Sequence, residues 1–76
     1  MPYTPDDNKL LQAIGQNLKK ARLAKGWSQE QLSFESGLHR TYVGAVERGE
    51  RNITVINLRK LATVLGVKLS AFVKGT

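Results

Sequence analysis

The sequence of 76 residues contains no cysteine and a single histidine. Without cysteine the chain can form neither a disulfide nor a thiolate metal site, and one histidine with six carboxylates offers few other metal ligands. An HExxH motif, a glycine-rich phosphate loop and a nucleophile or carboxylate constellation around the histidine are also missing. We therefore expect no catalytic residues, no metal ion, no cofactor and no small-molecule ligand.

Long apolar runs are absent as well. No run approaches the roughly 20 residues that cross a bilayer, and the first seven residues lack the basic and apolar regions of a signal peptide. We expect a cytoplasmic protein with no membrane partner. The length predicts one domain over residues 1–76, with residues 1–6 as a flexible tail. Its core is small enough that association into a dimer would add stability.

Positive charge is abundant, since 12 lysines and arginines face 6 acidic residues and give a net charge of +6. A field of this sign on a small body favours polyanionic partners such as nucleic acid. A charge of this size also serves solubility alone. The charge by itself therefore leaves both interpretations open.

Apolar residues recur at helical spacing from Leu10 onward, and glycines fall where helices would stop. The pattern predicts an all-α fold. The first helix is expected to follow Pro5, with Asp6 or Asp7 as its cap, and to end at Gly26.

The clearest local signal opens the second helix. Ser28 can cap it, Gln31 can return the bond in a capping box, and Trp27 can pack on Leu32 as a hydrophobic staple. This helix is predicted to end at Ser36-Gly37.

A third helix restarts at Arg40 after a turn of only three residues, 37–39, and should end near Arg48-Gly49. Two short helices joined by so brief a turn predict a helix-turn-helix. The third helix is expected to bury Val43 and Val46. Its predicted outer side carries Arg40, Thr41, Gly44 and Ala45.

Two further helices complete the predicted five. The fourth should begin after a cap at Thr54 and end at Gly66, because its apolar residues make a regular stripe. The last is short, at about 69–74. More apolar residues remain near this end than a terminal element needs, which favours a dimer interface there. The residues predicted for that interface are Ile56, Val67, Leu69 and Phe72.

The exposed start of the third helix carries side chains that can interact with base edges. An arginine such as Arg40 can bond guanine O6 and N7 together, and Thr41 can donate or offer its methyl group to thymine. Tyr42 can reach a base edge or a phosphate, or it can pack against the preceding helix. The competing interpretation of Arg40 is a solvated surface residue.

Residues around this helix could hold the phosphates of a bound duplex. Gln29 stands at the dipole end of the second helix, although capping is the competing role, and His39 stands at the cap of the third. The loop after the third helix adds polar groups that could also simply be solvated. Glu47 is expected to bond a neighbouring arginine or the next loop. The predicted backbone contacts are Gln29, His39, Arg48, Arg51, Asn52 and Thr54.

The order of these motifs resembles the helix-turn-helix regulators typified by the lambda and 434 repressors and Cro, often called XRE-like. The resemblance covers about residues 10–74. It rests on the Ser-Gln start of helix two at residues 28–32, the glycine turn at Gly37-Leu38 and the closing Glu47-Arg48-Gly49. It implies a compact lambda-repressor-like domain.

Within that family, residues 38–43 and 47–54 are similar to the controller proteins of restriction-modification systems. These are small dimers with an Arg-Thr-Tyr opening to the recognition helix and an Arg-Asn-x-Ser/Thr loop after it. The resemblance implies base contacts from Arg40, Thr41 and Tyr42. It implies phosphate contacts from Gln29, Arg48, Arg51, Asn52 and Thr54. The sequence departs from the pattern at His39, where controllers more often carry Asp, and at Gly44-Ala45, which replaces more polar choices.

We therefore predict a transcription regulator that binds a pseudo-palindromic operator in double-stranded DNA as a homodimer. Control of restriction-modification genes is the favoured role, and RNA polymerase is a candidate further partner. The alternatives are a phage-type or chromosomal repressor and an antitoxin-like module that binds a partner protein as well as DNA.

Overall fold

The computed structural model describes residues 2–76, and over these it is all-helical. Helix α1 spans Pro5–Ala24, α2 spans Gln29–Ser36, α3 spans Arg40–Glu47 and α4 spans Val55–Leu65. A 3₁₀ helix, Leu69–Val73, follows. The fold class is confirmed, and the last of the five predicted helices has the tighter 3₁₀ geometry.

The cap of helix α1 lies two or three residues before the predicted one. Thr4, and neither Asp6 nor Asp7, is the cap residue. Its Oγ1 accepts from the Asp7 N–H at 3.1 Å, and the Thr4 N–H donates to Asp7 Oδ2 at 3.0 Å, which completes a capping box. Pro5 takes the first helical position, where its missing N–H costs no hydrogen bond. Pro5 and Asp6 are thus helical, which shortens the predicted tail. Met1, also predicted in that tail, lies outside the described residues.

The predicted boundaries of the helix-turn-helix are confirmed. Ser28 caps α2 by accepting from the Gln31 N–H at 3.0 Å, and Gly37 closes it with a left-handed φ of 76°. The capping box is only half formed, because the Gln31 amide donates to Glu35 and does not return to Ser28. Helix α4 has the same arrangement, with Thr54 at its start and the left-handed Gly66 at its end.

All five helices contribute to one core. Its fully buried side chains include Leu18 of α1, Leu32 of α2, Val43 of α3 and Leu61 of α4. Phe72 of the 3₁₀ helix is also fully buried there, so it cannot lie in the predicted dimer interface. The reason is that this short helix packs back onto α1, where the Asn17 amide donates to the carbonyls of Phe72 and Lys74 at 2.9 and 3.0 Å.

A buried ion pair ties α1 to the end of α3. Arg22 donates through Nε and Nη2 to the two carboxylate oxygens of Glu47, at 2.7 and 3.1 Å, and through Nη1 to the carbonyl of Trp27. Gln29 adds a bond to the same carboxylate at 3.0 Å. The Arg22 and Glu47 side chains are 8% and 3% exposed. Glu47 thus bonds an arginine, as predicted, but the partner lies 25 residues away in the sequence and is not the neighbouring arginine that was expected.

Backbones approach closely where α1 crosses the end of α3. A Cβ atom placed on Gly15 would lie 2.5 Å from the Glu47 carbonyl oxygen and would also clash with that of Val46. Only glycine fits this crossing. The ion pair and the close approach therefore act at the same helix end.

We predict that Glu47→Gln lowers the free energy of unfolding by about 3 to 5 kcal/mol, because it leaves the Arg22 guanidinium buried beside a neutral partner. Urea denaturation measures the change. The matched control is Glu50→Gln, which removes an exposed ion pair with Arg48 and should leave the stability almost unchanged. Equal losses in the two variants would contradict this assignment.

Gly15→Ala should also destabilise the protein, by about 1 to 3 kcal/mol, because the new methyl group forces α1 and α3 apart. The direction of the change in unfolding free energy is informative. Replacing glycine by alanine inside an unconstrained helix stabilises it by about 1 kcal/mol. Thermal and urea unfolding of this variant, with exposed Gln16→Ala as control, tests the crossing; a gain in stability would show that the helices do not meet there.

Candidate nucleic-acid interface

The first turn of α3 is exposed at its start. Arg40 and Thr41 are exposed at its start, as predicted. No hydrogen bond or ion pair within residues 2–76 engages the Arg40 guanidinium. Its five N–H donors are therefore available to an external acceptor.

His39 caps this turn. Its Nδ1 atom accepts from the Thr41 N–H at 3.0 Å, which satisfies one of the unpaired amides at the helix start. A neutral imidazole that accepts through Nδ1 carries its proton on Nε2. His39 can therefore cap the helix and still donate to a phosphate, so the two roles considered for it are compatible.

The outer face of α3 is smaller than predicted, because Gly44 and Ala45 are buried. The Gln29 and Arg48 side chains cover Gly44: a Cβ placed there would lie 3.4 Å from Gln29 Oε1 and 3.2 Å from Arg48 Nη1. The prediction placed both residues outside because Val43 and Val46 fill the inner side. It was wrong because α3 packs against α1 as well as α2, so that its second half is enclosed from two directions.

Gln29 is held inside the fold, since its amide donates to Glu47. One N–H of the amide is thus committed to the buried ion pair, and the side chain is half-buried over Gly44. The structure brings Gln29, Glu47 and Arg48 together at the end of α3.

The loop between α3 and α4 is exposed at Arg48, Arg51, Asn52 and Thr54. Arg48 donates through Nε to Glu50 at 3.0 Å, and this hydrogen bond, together with the charge of the carboxylate, raises the pKa of the Arg48 guanidinium. Because both partners are exposed, a phosphate can replace Glu50. Thr54 Oγ1 accepts from the Asn57 N–H as the cap of α4.

Tyr42 is half-buried and is contacted from two sides. The Arg51 guanidinium lies over its ring, 5.0 Å from the centroid, and the Asn57 Nδ2 donates to its hydroxyl oxygen at 3.3 Å. Asn57 was not predicted as a site residue. The only signal in the sequence is its position three residues after the Thr54 cap, where a side chain can reach back to the helix start.

Three of the four residues predicted for the dimer interface are at least partly exposed. Ile56 is 54% exposed, Leu69 is exposed and Val67 is half-buried against the core. The sequence missed two exposed apolar neighbours of this set, Val55 and Val73.

Other kinds of site are not found in the described part of the chain. None of its helices combines the length and apolar character that a membrane crossing needs. Among residues 2–76 no cluster of histidine, cysteine and carboxylate side chains is suited to a metal ion.

Comparison with known proteins agrees with this geometry. A family model described as helix-turn-helix matches residues 18–72. The Neisseria hypothetical transcription factor of Neisseria meningitidis is 48% identical over 63 residues, which are 83% of this chain and 59% of that protein. This chain thus spans less than two thirds of the length of that relative.

Solved structures of two controller proteins are also similar. The restriction-modification controller protein C.AhdI from Aeromonas hydrophila is 52% identical with a TM-score of 0.79, covering 82% of this chain and 94% of its own. The controller C.Esp1396I, solved as a tetramer with its natural 35 base-pair operator, is 40% identical with a TM-score of 0.76, and the match covers 83% of each chain.

The helix-turn-helix geometry and these matches lead to one conclusion. The proteins matched are regulators of transcription and not enzymes. This chain belongs to the helix-turn-helix, XRE-type family of DNA-binding transcription regulators and is similar to the controller proteins of restriction-modification systems.

Proposed function

We propose that this chain is a sequence-specific transcription regulator that binds a pseudo-palindromic operator as a homodimer and controls restriction-modification genes in the cytoplasm. The observation that carries the proposal is the exposed Arg40-Thr41 turn at the start of α3, with its arginine donors unengaged. In a helix-turn-helix, the start of the second helix contacts base edges in the major groove.

The assigned contacts follow from that placement. Arg40 and Thr41 contact bases, and Tyr42 adds a contact through its hydroxyl group. His39 and the exposed loop residues Arg48, Arg51, Asn52 and Thr54 contact phosphates. Gln29 contributes mainly by supporting Glu47, and its free amide N–H is the part that can reach the backbone of DNA.

A dimer fits both the fold and an operator with two half-sites. Dimers of this motif place their recognition helices about 34 Å apart, in successive turns of the major groove. The interface proposed for this chain contains the exposed apolar residues Val55, Ile56, Leu69 and Val73, together with the partly buried Val67. The tetramer of C.Esp1396I on its operator supports assembly on DNA. RNA polymerase is the further partner that we propose for a regulator of this kind.

Two arginine variants test the assigned roles. Arg40→Ala should cost about 1 to 3 kcal/mol of binding free energy and relax the preference at one base position. Arg51→Ala should weaken binding to all sequences alike. It should also reduce the slope of the logarithm of the binding constant against the logarithm of the salt concentration by about one. Both are measured on a duplex selected from a random pool and on its single-base variants, over a range of salt concentrations.

Lys19→Ala serves as the control for these variants, because Lys19 is exposed on α1 and belongs neither to the proposed DNA contacts nor to the proposed dimer interface. It should change neither preference nor salt slope. Uniform loss for both Arg40→Ala and Arg51→Ala would reject the division into base and phosphate contacts. If the wild-type chain enriches no sequence from the pool, the proposed function itself fails.

The dimer is tested by sedimentation equilibrium, which should give twice the 8.4 kDa mass of one chain. Ile56→Lys should shift this mass to that of the monomer and weaken operator binding, because a charge would be buried in the interface. The matched control is Leu23→Lys on α1, since Leu23 is 56% exposed and Ile56 is 54% exposed. A wild-type chain that stays monomeric at high concentration would refute the dimer.

A further inference from the structure

Tyr42 lies at the junction of three elements. It belongs to the first turn of α3, Arg51 comes from the following loop and Asn57 comes from the first turn of α4. We call these three residues the Tyr42 clamp. Tyr42 directly follows Arg40 and Thr41, the residues proposed to contact bases. Contacts that fix the Tyr42 side chain therefore act next to those residues.

The clamp limits what the tyrosine can do chemically. The Arg51 guanidinium occupies one face of the ring, so that face is closed to stacking with a base. A phenol group has one hydrogen to donate and can accept through its oxygen. Because Asn57 Nδ2 donates to that oxygen, the hydroxyl hydrogen is left for an acceptor elsewhere.

Asn57 reaches Tyr42 from a position that usually serves its own helix. It is the third residue after the Thr54 cap, and its backbone N–H already bonds the Thr54 hydroxyl at 3.1 Å. In a capping box the side chain at this position returns to the cap residue. Here the Asn57 amide instead crosses to a residue 15 positions earlier, which links α4 to α3.

We propose that Asn57 is a positioning residue that holds Tyr42 as a hydrogen-bond donor toward the operator. Tyr42 then donates to an oxygen or nitrogen acceptor of the DNA, on a phosphate or on a base edge, while its ring holds the Arg51 guanidinium at the rim of the interface. The inference rests on the proposed DNA-binding function. It adds a residue outside the helix-turn-helix to the recognition of DNA.

A double-mutant cycle tests this positioning role. The probe is the duplex that the wild-type chain selects from a random pool, and the variants are Tyr42→Phe, Asn57→Ala and the double variant. Each single change should weaken binding about 2- to 12-fold, the range of one net hydrogen bond. The double variant should bind no more weakly than Tyr42→Phe alone, because Asn57 acts only through the hydroxyl group.

Asn57→Asp sharpens the test, since a carboxylate can only accept and would capture the hydroxyl hydrogen. It should weaken binding more than Asn57→Ala does. Its negative charge also repels DNA. Comparing Asn57→Asp with Asn57→Ala in the Tyr42→Phe background measures that repulsion alone, because the hydroxyl group is absent there. If Asn57→Asp weakens binding relative to Asn57→Ala by the same factor with and without the hydroxyl group, the assignment of Tyr42 as a donor is contradicted.

Single-base variants of the duplex distinguish the two kinds of acceptor. If Tyr42 donates to a base, Tyr42→Phe and Asn57→Ala relax the preference at the same position. If it donates to a phosphate, both weaken all duplexes alike. Relaxed preference at different positions for the two variants would overturn the inference.

Asn17→Ala is the matched control, because it also removes an amide that bonds across the fold, to the carbonyls of Phe72 and Lys74. This variant should have a lower unfolding temperature and, measured below the unfolding transition, an unchanged affinity for the selected duplex. An Asn57→Ala variant that behaves in the same way would reduce Asn57 to a structural residue and overturn the proposal.

A measurement on the free protein is independent of DNA. Tyr3→Phe leaves Tyr42 as the single tyrosine, so the tyrosine Raman doublet, which reports phenol hydrogen bonding, comes from Tyr42 alone. Adding Asn57→Ala should shift the doublet, and an unchanged doublet would overturn the inference.

The proposed function and the positioning role can fail separately. If the doublet shifts but the chain selects no duplex, the proposed function fails. If a duplex is selected and the effects of Tyr42→Phe and Asn57→Ala on binding are additive, only the positioning role fails.

Discussion

The bidentate ion pair between Arg22 and Glu47 is the contact on which the arrangement of the helix-turn-helix depends. It joins α1 to the last residue of α3, and the Gln29 amide joins the first residue of α2 to the same carboxylate. An eight-residue helix has little stability of its own, so α3 relies on such tertiary contacts. The pair thereby fixes the last residue of α3 against α1 and the start of α2.

Burial at the end of α3 restricts where the helix can meet DNA. Gly15 lets α1 pass close to the carbonyl groups there, and the Gln29 and Arg48 side chains cover Gly44. Anchoring one end leaves the other end, with Arg40 and Thr41, as the exposed turn. The rigidity of the anchored half and the accessibility of the free half are therefore consequences of the same packing.

The Tyr42 clamp extends this fixed geometry into the next helix. The loop that carries Arg51 is also held by the buried Ile53 and by a hydrogen bond from the Glu50 N–H to the Ala45 carbonyl of α3. The cation–π contact and the hydrogen bond from Asn57 place a positive charge and a hydroxyl group beside the exposed turn. Each such contact contributes modestly, but together they limit the conformations that must be ordered when a duplex binds.

Features that depend on neighbours within a few residues were predictable from the amino-acid sequence alone. Ser28, Gly37 and Gly66 specify helix ends through local hydrogen bonds and left-handed backbone, and the spacing predicted all-α structure with Arg40-Thr41 at the start of α3. The tertiary structure alone decided that Phe72 completes the core, that Gly44 and Ala45 are enclosed, and that Asn57 reaches Tyr42. These outcomes depend on how helices distant in sequence cross, and helical periodicity describes only one helix at a time.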